Sequence, residues 1–275
     1  MTVLIDQSTK LFGVLGNPVR HSLSPLMHNA AFRETGINAA YLAFESGNLE
    51  DAVKGIRGLN IAGMSVTIPF KSDIIPLLDR IDPLANDIGA VNTIVNRDNI
   101  LTGYNTDASG ALKALEEVTE IAGKKCLIIG AGGAARAIGF MLKDNNGEIM
   151  IANRSEDRGR KLCKALDSPF IEPSRLENVD ADILINTTPA GMSPDTGNCP
   201  VPEHMLKREM TVMDIIYNPV KTKLLKAAHE RGCITIDGLG MFIYQGAEQF
   251  RLWTGMNAPV DTMKKIVEEK LLQLR

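Results

Sequence analysis

The chain has 275 residues, of which 44% are hydrophobic and 23% are charged. This length and balance are typical of a globular protein with two domains of ordinary size. The formal net charge of −3 argues against nucleic acid or an anionic membrane as a partner. We expect no signal peptide, no membrane-spanning segment and a cytoplasmic location. The four cysteines are widely spaced and the four histidines form no ligand motif, which predicts reduced thiols and no metal.

Apolar runs alternate with helical patterns along the whole chain, which predicts an α/β fold. In chain order, the first part predicts a strand at 11–15, a helix at 25–35, a strand at 40–44, a helix at 49–59, a strand at 64–68, a helix at 71–79, and strands at 90–95 and 100–104 joined by a polar turn. The second part predicts a helix from about 106 to 121, strands at 125–129, 149–152, 183–186, 212–216 and 234–236 with helices between them, and a last helix at about 260–274.

The most informative segment is a glycine turn between the strand at 125–129 and the helical pattern that follows it. Gly130 permits a tight turn, Gly132 lets the backbone approach a pyrophosphate, and Ala135 is the third small residue of a dinucleotide-binding motif. The N-terminus of the following helix would attract the phosphates. A glycine turn between any buried strand and helix can look the same, so the next strand has to support this interpretation.

The end of the strand at 149–152 predicts the type of cofactor. Asn153 stands about 20 positions after the glycine turn, where NAD-binding proteins carry an acidic residue for the ribose hydroxyls. Arg154 and Arg158 follow, and guanidinium groups pair with a 2′-phosphate that a carboxylate would repel. The segment therefore predicts NADP(H), although Asn153 could be a turn residue and Arg158 a solvated helix residue.

Five further segments place polar side chains at predicted strand ends, where open α/β sheets bind ligands: 16–25, 65–71, 89–93, 103–107 and 237–241. Together with the glycine turn, residues 153–155 and residues 186–192, they resemble the shikimate dehydrogenase family over nearly the whole chain. The resemblance implies reversible NADPH-dependent reduction of 3-dehydroshikimate to shikimate, a step of aromatic amino-acid biosynthesis. It also implies an N-terminal α/β substrate-binding domain with a mostly parallel sheet, at 1–107 plus about 246–275, and a Rossmann-type NADP-binding domain at 108–245.

The resemblance implies roles for individual residues. The expected substrate-binding residues are Ser22, Ser24, Ser65, Thr67, Asn92, Tyr217 and Gln245. The expected cofactor-binding residues are Gly130, Ala131, Gly132, Gly133, Ala134, Asn153, Arg154, Ser155, Arg158, Thr187, Ile215, Gly238 and Met241. Several of these have a purely structural alternative, and Ser24 before Pro25 is also a good helix N-cap.

Lys71 and Asp107 are the expected catalytic pair. By default they would be a solvated lysine and a helix-capping aspartate, but the resemblance places both at the reacting centre. The ammonium of Lys71 would deliver a proton to the carbonyl oxygen or stabilise the developing charge, and Asp107 would position it. Whether Lys71 is a proton donor or an electrostatic clamp stays open.

The chain departs from the family at one point. The motif often reads Asn-Val-Thr, and Ser65 stands in place of its asparagine. A shorter hydroxyl there puts one substrate contact in question, and with it the discrimination between shikimate and quinate. Three alternatives follow: a quinate/shikimate dehydrogenase using NAD(P), a non-catalytic metabolite sensor on the same fold, and a reductase for another carbonyl compound. The expected partner is the small-molecule substrate, and a homodimer stays open.

Overall fold

The computed structural model describes residues 5–273 of the chain. Its strands are β1 (Lys10–Gly16), β2 (Ala39–Glu45), β3 (Gly63–Val66), β4 (Arg80–Ile81), β5 (Thr93–Arg97), β6 (Ile100–Tyr104), β7 (Lys125–Ile129), β8 (Glu148–Ala152), β9 (Phe170–Ile171), β10 (Ile183–Asn186), β11 (Thr211–Asp214) and β12 (Ile234–Ile236). Its α-helices are α1 (Ser24–Thr35), α2 (Leu49–Gly58), α3 (Pro83–Ile88), α4 (Asp107–Glu116), α5 (Gly133–Asp144), α6 (Glu156–Leu166), α7 (Lys223–Glu230), α8 (Gly238–Thr254) and α9 (Val260–Gln273). Short 3₁₀ helices lie at Ile75–Leu77, Pro173–Asn178 and Glu203–Met205.

The chain divides into two compact units, the first formed by Met1–Thr106 with Gln245–Arg275 and the second by Asp107–Tyr244. In the described part of the first unit, the strands form one sheet in the order β2-β1-β3-β5-β6-β4. Strands β2 and β3 pair parallel with β1, and β4 pairs parallel with β6. Strand β5 is antiparallel to both of its neighbours, so the sheet is mixed.

Strands β5 and β6 form a tight hairpin. Their two-residue loop, Asp98 and Asn99, has φ values of 53° and 65°. Two consecutive positive φ values define a type I′ turn, whose twist matches that of the paired strands, and Asp and Asn tolerate this conformation better than most residues. The polar turn predicted between these strands is confirmed.

Both faces of the first sheet are covered by apolar side chains. Phe12 of β1 packs against Phe32 of α1 and against Trp253 of α8, with ring centroids 5.2 and 5.3 Å apart. The Trp253 indole donates to the Ile94 carbonyl at 2.9 Å, and a Cβ at Gly63 would overlap the ring. The other face carries a cluster that includes Leu15, Val53, Ile56, Met64, Ile74 and Leu101. Helix α8 is thereby fixed against the middle of this sheet.

The second unit contains a fully parallel sheet in the order β12-β11-β10-β7-β8-β9, taken over the residues that the structure describes. The strand order reverses between β7 and β10, which is the point where a doubly wound sheet opens a crevice for a dinucleotide. The predicted α/β class with a Rossmann-type unit is confirmed.

Three local predictions are wrong. Residues 71–79 do not form an α-helix, because turns lead only to the 3₁₀ helix Ile75–Leu77, where Pro76 has no N–H to continue a helical ladder. The short strands β4 and β9 and the helix α3 were not predicted. The N-cap of α1 is Leu23 rather than Ser24, which already lies inside the helix. The predicted last helix extends to residue 274, which lies outside the described residues, as do residues 1–4 of the N-terminal segment.

Among the helices of residues 5–273, none combines the length and apolar character needed to cross a bilayer. The four cysteines are free thiols, and Cys126, Cys163 and Cys233 are buried. Burial raises the pKa of the Cys126 thiol to about 12. These cysteines therefore belong to the packing of the second unit and are poor nucleophiles.

Candidate active site

The glycine turn after β7 is constrained by its neighbours. Gly130 has a φ of 118°, which side chains with a Cβ rarely adopt, and a Cβ there would overlap the Thr187 hydroxyl. That hydroxyl donates to the Ile129 carbonyl at 2.7 Å. The structure thus places Thr187, at the end of β10, directly against the turn. Position 130 requires glycine for both conformation and space.

The next glycine leaves open space at the start of a helix. Gly132 is the N-cap of α5, and a Cβ there would have no atom within 4 Å. Helix α5 has no side-chain cap and no acidic residue in its first turn. Its N–H groups and positive end are therefore available to an anion, which is what a pyrophosphate requires. The turn fits a dinucleotide on the geometry of this chain.

The residues after β8 form a basic surface. Asn153 donates to the Ser155 carbonyl at 2.7 Å, which fixes the start of α6. Arg154 and Arg158 are exposed, and neither has a carboxylate within 4.0 Å among residues 5–273. Arg160 on the same helix is instead paired with Glu156 at 2.6 Å. Two uncompensated guanidinium groups beside the glycine-turn strand fit a 2′-phosphate.

The remaining predicted cofactor residues of the second unit lie at the start of α8. A Cβ at Gly238 would overlap the Ile215 carbonyl, so glycine lets the helix begin against that backbone. Met241 is buried one turn later. Tyr217, predicted for the substrate, is half-buried and stacks on Phe242 with ring centroids 4.6 Å apart. Burial raises the pKa of its phenol.

Asp214, at the end of β11, is a buried carboxylate that sequence reasoning missed. It accepts hydrogen bonds from Asn186 at 3.0 Å, Thr222 at 2.7 Å and the Ile216 amide at 3.2 Å. Burial raises its pKa to about 6 despite these donors. The network ties the strand ends of β10 and β11 to the N-cap of α7. An aspartate inside the apolar strand predicted at 212–216 was the available signal.

Asn92, at the entrance of β5, has an oriented carboxamide. Its Oδ1 accepts from Thr93 Oγ1 at 2.7 Å and from the Thr106 amide at 2.8 Å. Its Nδ2 donates to Thr106 Oγ1 at 3.0 Å. Asn92 is therefore held by the residue that follows it and by the segment after β6. Such a fixed amide suits recognition of hydroxyl groups.

Ser65, the departure from the family motif, is buried, and its hydroxyl makes two hydrogen bonds. Its hydroxyl accepts from Tyr41 at 2.6 Å and donates to Gln249 Oε1 at 2.9 Å. Gln249 lies four residues after the predicted Gln245 on α8 and is also buried. Sequence reasoning missed Gln249, although a second glutamine at helical spacing in an apolar helix was a usable signal.

His28 of α1 completes this buried cluster. The ring stacks on Tyr41 with centroids 4.5 Å apart, and its Nε2 lies 3.2 Å from Gln249 Oε1. Because an amide oxygen only accepts, Nε2 carries a proton in this contact. Desolvation lowers the His28 pKa to about 3. Among the described residues, its buried Nδ1 has no hydrogen-bond partner.

The other predicted substrate and catalytic residues lie at element ends. Ser22 accepts the Ser24 amide at 3.3 Å at the start of α1, and Thr67 follows β3 with its amide bonded to the Leu15 carbonyl. Lys71, in the turns after Thr67, is half-buried and belongs to the first unit. Asp107 is buried at the first turn of α4 and begins the second unit. The pairing of Lys71 with Asp107 stays a prediction.

Three sequence profiles match the chain. "Shikimate dehydrogenase substrate binding domain" matches residues 14–94, "Shikimate / quinate 5-dehydrogenase" matches 112–237, and "Shikimate 5'-dehydrogenase C-terminal domain" matches 238–268. Together, the matched ranges cover parts of both units.

Individual relatives resemble the chain over nearly its full length. The shikimate dehydrogenase (NADP(+)) of Moorella thermoacetica is 46% identical, covering 98% of this chain and 96% of that protein. A crystal structure of a shikimate dehydrogenase in complex with NADP+ is 43% identical, with a TM-score of 0.93 over 98% of both chains. The Listeria monocytogenes shikimate 5-dehydrogenase, solved with shikimate and NAD, is 40% identical, with a TM-score of 0.90 over 97% of this chain and 99% of that one.

Proposed function

The chain belongs to the shikimate dehydrogenase family, and from this premise we propose that it catalyses the reversible, NADPH-dependent reduction of 3-dehydroshikimate to shikimate in aromatic amino-acid biosynthesis. The main support for this proposal is the similarity to an NADP(+) shikimate dehydrogenase over 98% of the chain. The protein is accordingly an oxidoreductase that acts on a CH–OH group.

NADP(H) is the cofactor, and when bound its reduced nicotinamide supplies the hydride for the ring ketone. In our proposal, the open backbone at Gly132 and the N-terminus of α5 hold the pyrophosphate. Arg154 and Arg158 hold the 2′-phosphate, and their lack of a protein counter-ion within the described chain supports this role. Gly130 and Thr187 shape the turn, and the residues from Ile215 to Met241 border the cofactor from the next strand ends.

The substrate is a hydroxylated cyclic acid. We assign Ser22 and Ser24 to its carboxylate, and Thr67, Asn92 and Gln245 to its hydroxyl groups, with Ser65 and Tyr217 nearby. The fixed carboxamide of Asn92 supports this assignment. Because this amide is already ordered in the free protein, it loses less conformational entropy on binding and binds a hydroxyl more tightly.

Lys71 and Asp107 carry the acid–base chemistry in this proposal. Lys71 holds a proton on Nζ for the substrate oxygen, or stabilises the charge that develops on it, and Asp107 positions the ammonium. In the direction of shikimate oxidation, the same amine takes the proton back.

A second candidate is a quinate/shikimate dehydrogenase with relaxed cofactor use, since one matching profile bears both substrates in its description. The basic residues after β8 favour NADP, and Ser65 keeps quinate open as a substrate. A metabolite sensor without activity is disfavoured because both Lys71 and Asp107 are present.

We further propose that the enzyme works in the cytoplasm, which the four free thiols support. The protein is either a monomer or a homodimer, and light scattering of the purified protein distinguishes the two.

The test of the function is a spectrophotometric assay of NADPH consumption with 3-dehydroshikimate, repeated with NADH and, in reverse, with shikimate and quinate. Lys71→Ala should lower kcat about 100- to 10,000-fold with little change in KM. Lys54→Ala, an exposed lysine paired with Asp51, is the control. A mild loss shared between kcat and KM would remove Lys71 from the chemistry, and an inactive native protein would refute the function.

A further inference from the structure

The carboxamide of Gln249 joins separate elements of the first unit. Its Oε1 accepts from Ser65 of β3, and its Nε2 donates to Thr93 of β5 at 3.0 Å. The same Nε2 lies 3.4 Å from the Asn92 carbonyl. Gln249 is only 2% exposed. A buried glutamine is retained only where its polar atoms have partners, so its environment is built for an amide.

The hydrogen bonds around Gln249 run in one direction. Tyr41 donates to Ser65, Ser65 donates to Gln249, Gln249 donates to Thr93, and Thr93 donates to the Asn92 side chain. Ser65 and Thr93 each donate one hydrogen bond and accept another in this series. If one member is removed, a buried donor or acceptor is left unmatched and the next hydroxyl is released to rotate. Gln249 therefore contributes, through Thr93, to holding the Asn92 carboxamide, beside the hydrogen bonds that Asn92 makes with Thr106.

The series also accounts for the departure at position 65. The family motif often has asparagine there, and this chain has serine, whose hydroxyl cannot reach as far or donate twice. Gln249 brings a carboxamide to the Ser65 hydroxyl from α8, 184 residues away in the chain. Serine and glutamine together supply the hydroxyl, the amide oxygen and the amide N–H at this end of β3.

We propose that Gln249 is a positioning residue for substrate binding, which compensates for the missing amide at position 65 and holds the Asn92 carboxamide in its binding orientation. The inference rests on the proposed function, because it concerns the affinity of that site for shikimate. Gln249 acts through Asn92 and Ser65, so it should affect ground-state affinity for the substrate more than turnover.

The first experiment replaces Gln249 with methionine, which keeps the length of the side chain and removes its hydrogen bonds. We expect KM and Kd for shikimate to rise roughly tenfold, the equivalent of one buried neutral hydrogen bond, while kcat changes less than about threefold. KM for NADP+ should not change. Glu248→Gln is the matched control on the same helix, since Glu248 forms an ion pair with Arg251 and takes no part in the hydrogen bonds around Gln249.

The second experiment restores an amide at position 65. Ser65→Asn alone inserts two extra heavy atoms beside Gln249 and Tyr41, which already lie at 2.9 and 2.6 Å, so shikimate affinity should fall. Adding Gln249→Ala makes room, and the double variant should bind shikimate more tightly than either single variant. Relief of the overlap explains a gain over Ser65→Asn, so the informative comparison is with Gln249→Ala alone: a higher shikimate affinity than in that single variant, at an unchanged Tm, is not expected from a residue that only packs the core.

Binding is followed by titration calorimetry as well as by kinetics, and stability by thermal melting. A Gln249→Met protein with an unchanged KM and Kd and a lowered Tm would overturn the inference while leaving the function intact. A double variant no better than the single ones would also overturn it. Native and Glu248→Gln proteins that neither bind nor oxidise shikimate would instead refute the proposed function, and the inference with it.

Discussion

Protonation of the unfolded chain at His28 should make the first unit sensitive to acid. The ring is buried and neutral in the native state, where its pKa is lowered to about 3 from an ordinary value of 6.5. Below pH 6.5, His28 binds a proton in the unfolded chain but stays unprotonated in the native state. The stability tied to His28 is therefore complete above pH 6.5 and is lost progressively as the pH falls toward 3.

The size of this effect follows from the two pKa values. At pH 5, preferential protonation of the unfolded chain lowers the free energy of unfolding by about 2 kcal/mol, and at pH 3 by about 4 kcal/mol. These are large fractions of the stability of a typical domain, about 5–15 kcal/mol. The stacking of His28 on Tyr41 and its bond to Gln249 hold the ring in its buried position.

The perturbation is His28→Gln, which can still donate to Gln249 but does not titrate. Urea unfolding of both proteins at pH 7 and pH 5 gives the two free-energy differences. The loss on acidification should be about 2 kcal/mol smaller in the variant, whatever its stability at pH 7. Where the two units unfold in separate transitions, the change belongs to the first unit. Parallel pH dependences for the two proteins would refute the assignment of a neutral buried ring.

Three further results are expected. Asp214→Asn should remove a pH dependence of opposite sign: the raised native pKa of about 6 contributes about 3 kcal/mol to folding below pH 3.8, which is lost as the pH rises through 6, so acidification from pH 7 to pH 4 should lower the free energy of unfolding by about 2 kcal/mol more in the variant than in the native protein, as measured by urea melts at the two pH values. Gly130→Ala should cost about 1–3 kcal/mol from its φ alone and weaken NADPH binding through displacement of Thr187, and a normal Tm with normal NADPH affinity would contradict the turn geometry. Arg158→Ala should raise KM for NADPH roughly tenfold without changing that for NADH, whereas Arg160→Ala, which removes a guanidinium already paired with Glu156, should change neither.

The second unit was more predictable from sequence than the first. Its parallel strands are short, apolar and separated by helices, so their pattern and the turn at Gly130 define the architecture locally. Residues 71–79 misled because their apolar spacing resembles a helix, while Pro76 and the preceding Pro69 limit regular hydrogen bonding. Ser24 is not the N-cap of α1, because Leu23 takes that position and Ser24 is the first residue of the helix. Local preference was overridden in each case by backbone geometry.

The binding residues show the same division. Residues in contiguous motifs, such as the glycines after β7, could be predicted because spacing alone determines what they do. Helical spacing could have drawn attention to Gln249, but the partners of Gln249 and His28 could not be predicted, because they lie far away in the chain, 184 residues apart for Ser65–Gln249 and 221 for His28–Gln249. Hydrogen-bond matching between distant elements leaves no periodic pattern in a sequence, and a buried polar residue is visible only once burial is known.

The type I′ hairpin of β5 and β6 gives the first unit a local starting point for folding. A hairpin of this kind closes within microseconds, whereas parallel pairings wait for long loops to close. We expect Asn92 and Thr93, which enter the hairpin, to take up their backbone positions early. Gln249 reaches Thr93 from 156 residues further along the chain, so we expect the Asn92 carboxamide to gain its final orientation only when the carboxyl-terminal segment docks. A chain still growing on the ribosome would then carry Asn92 in its hairpin before the bond from Gln249 to Thr93 can form.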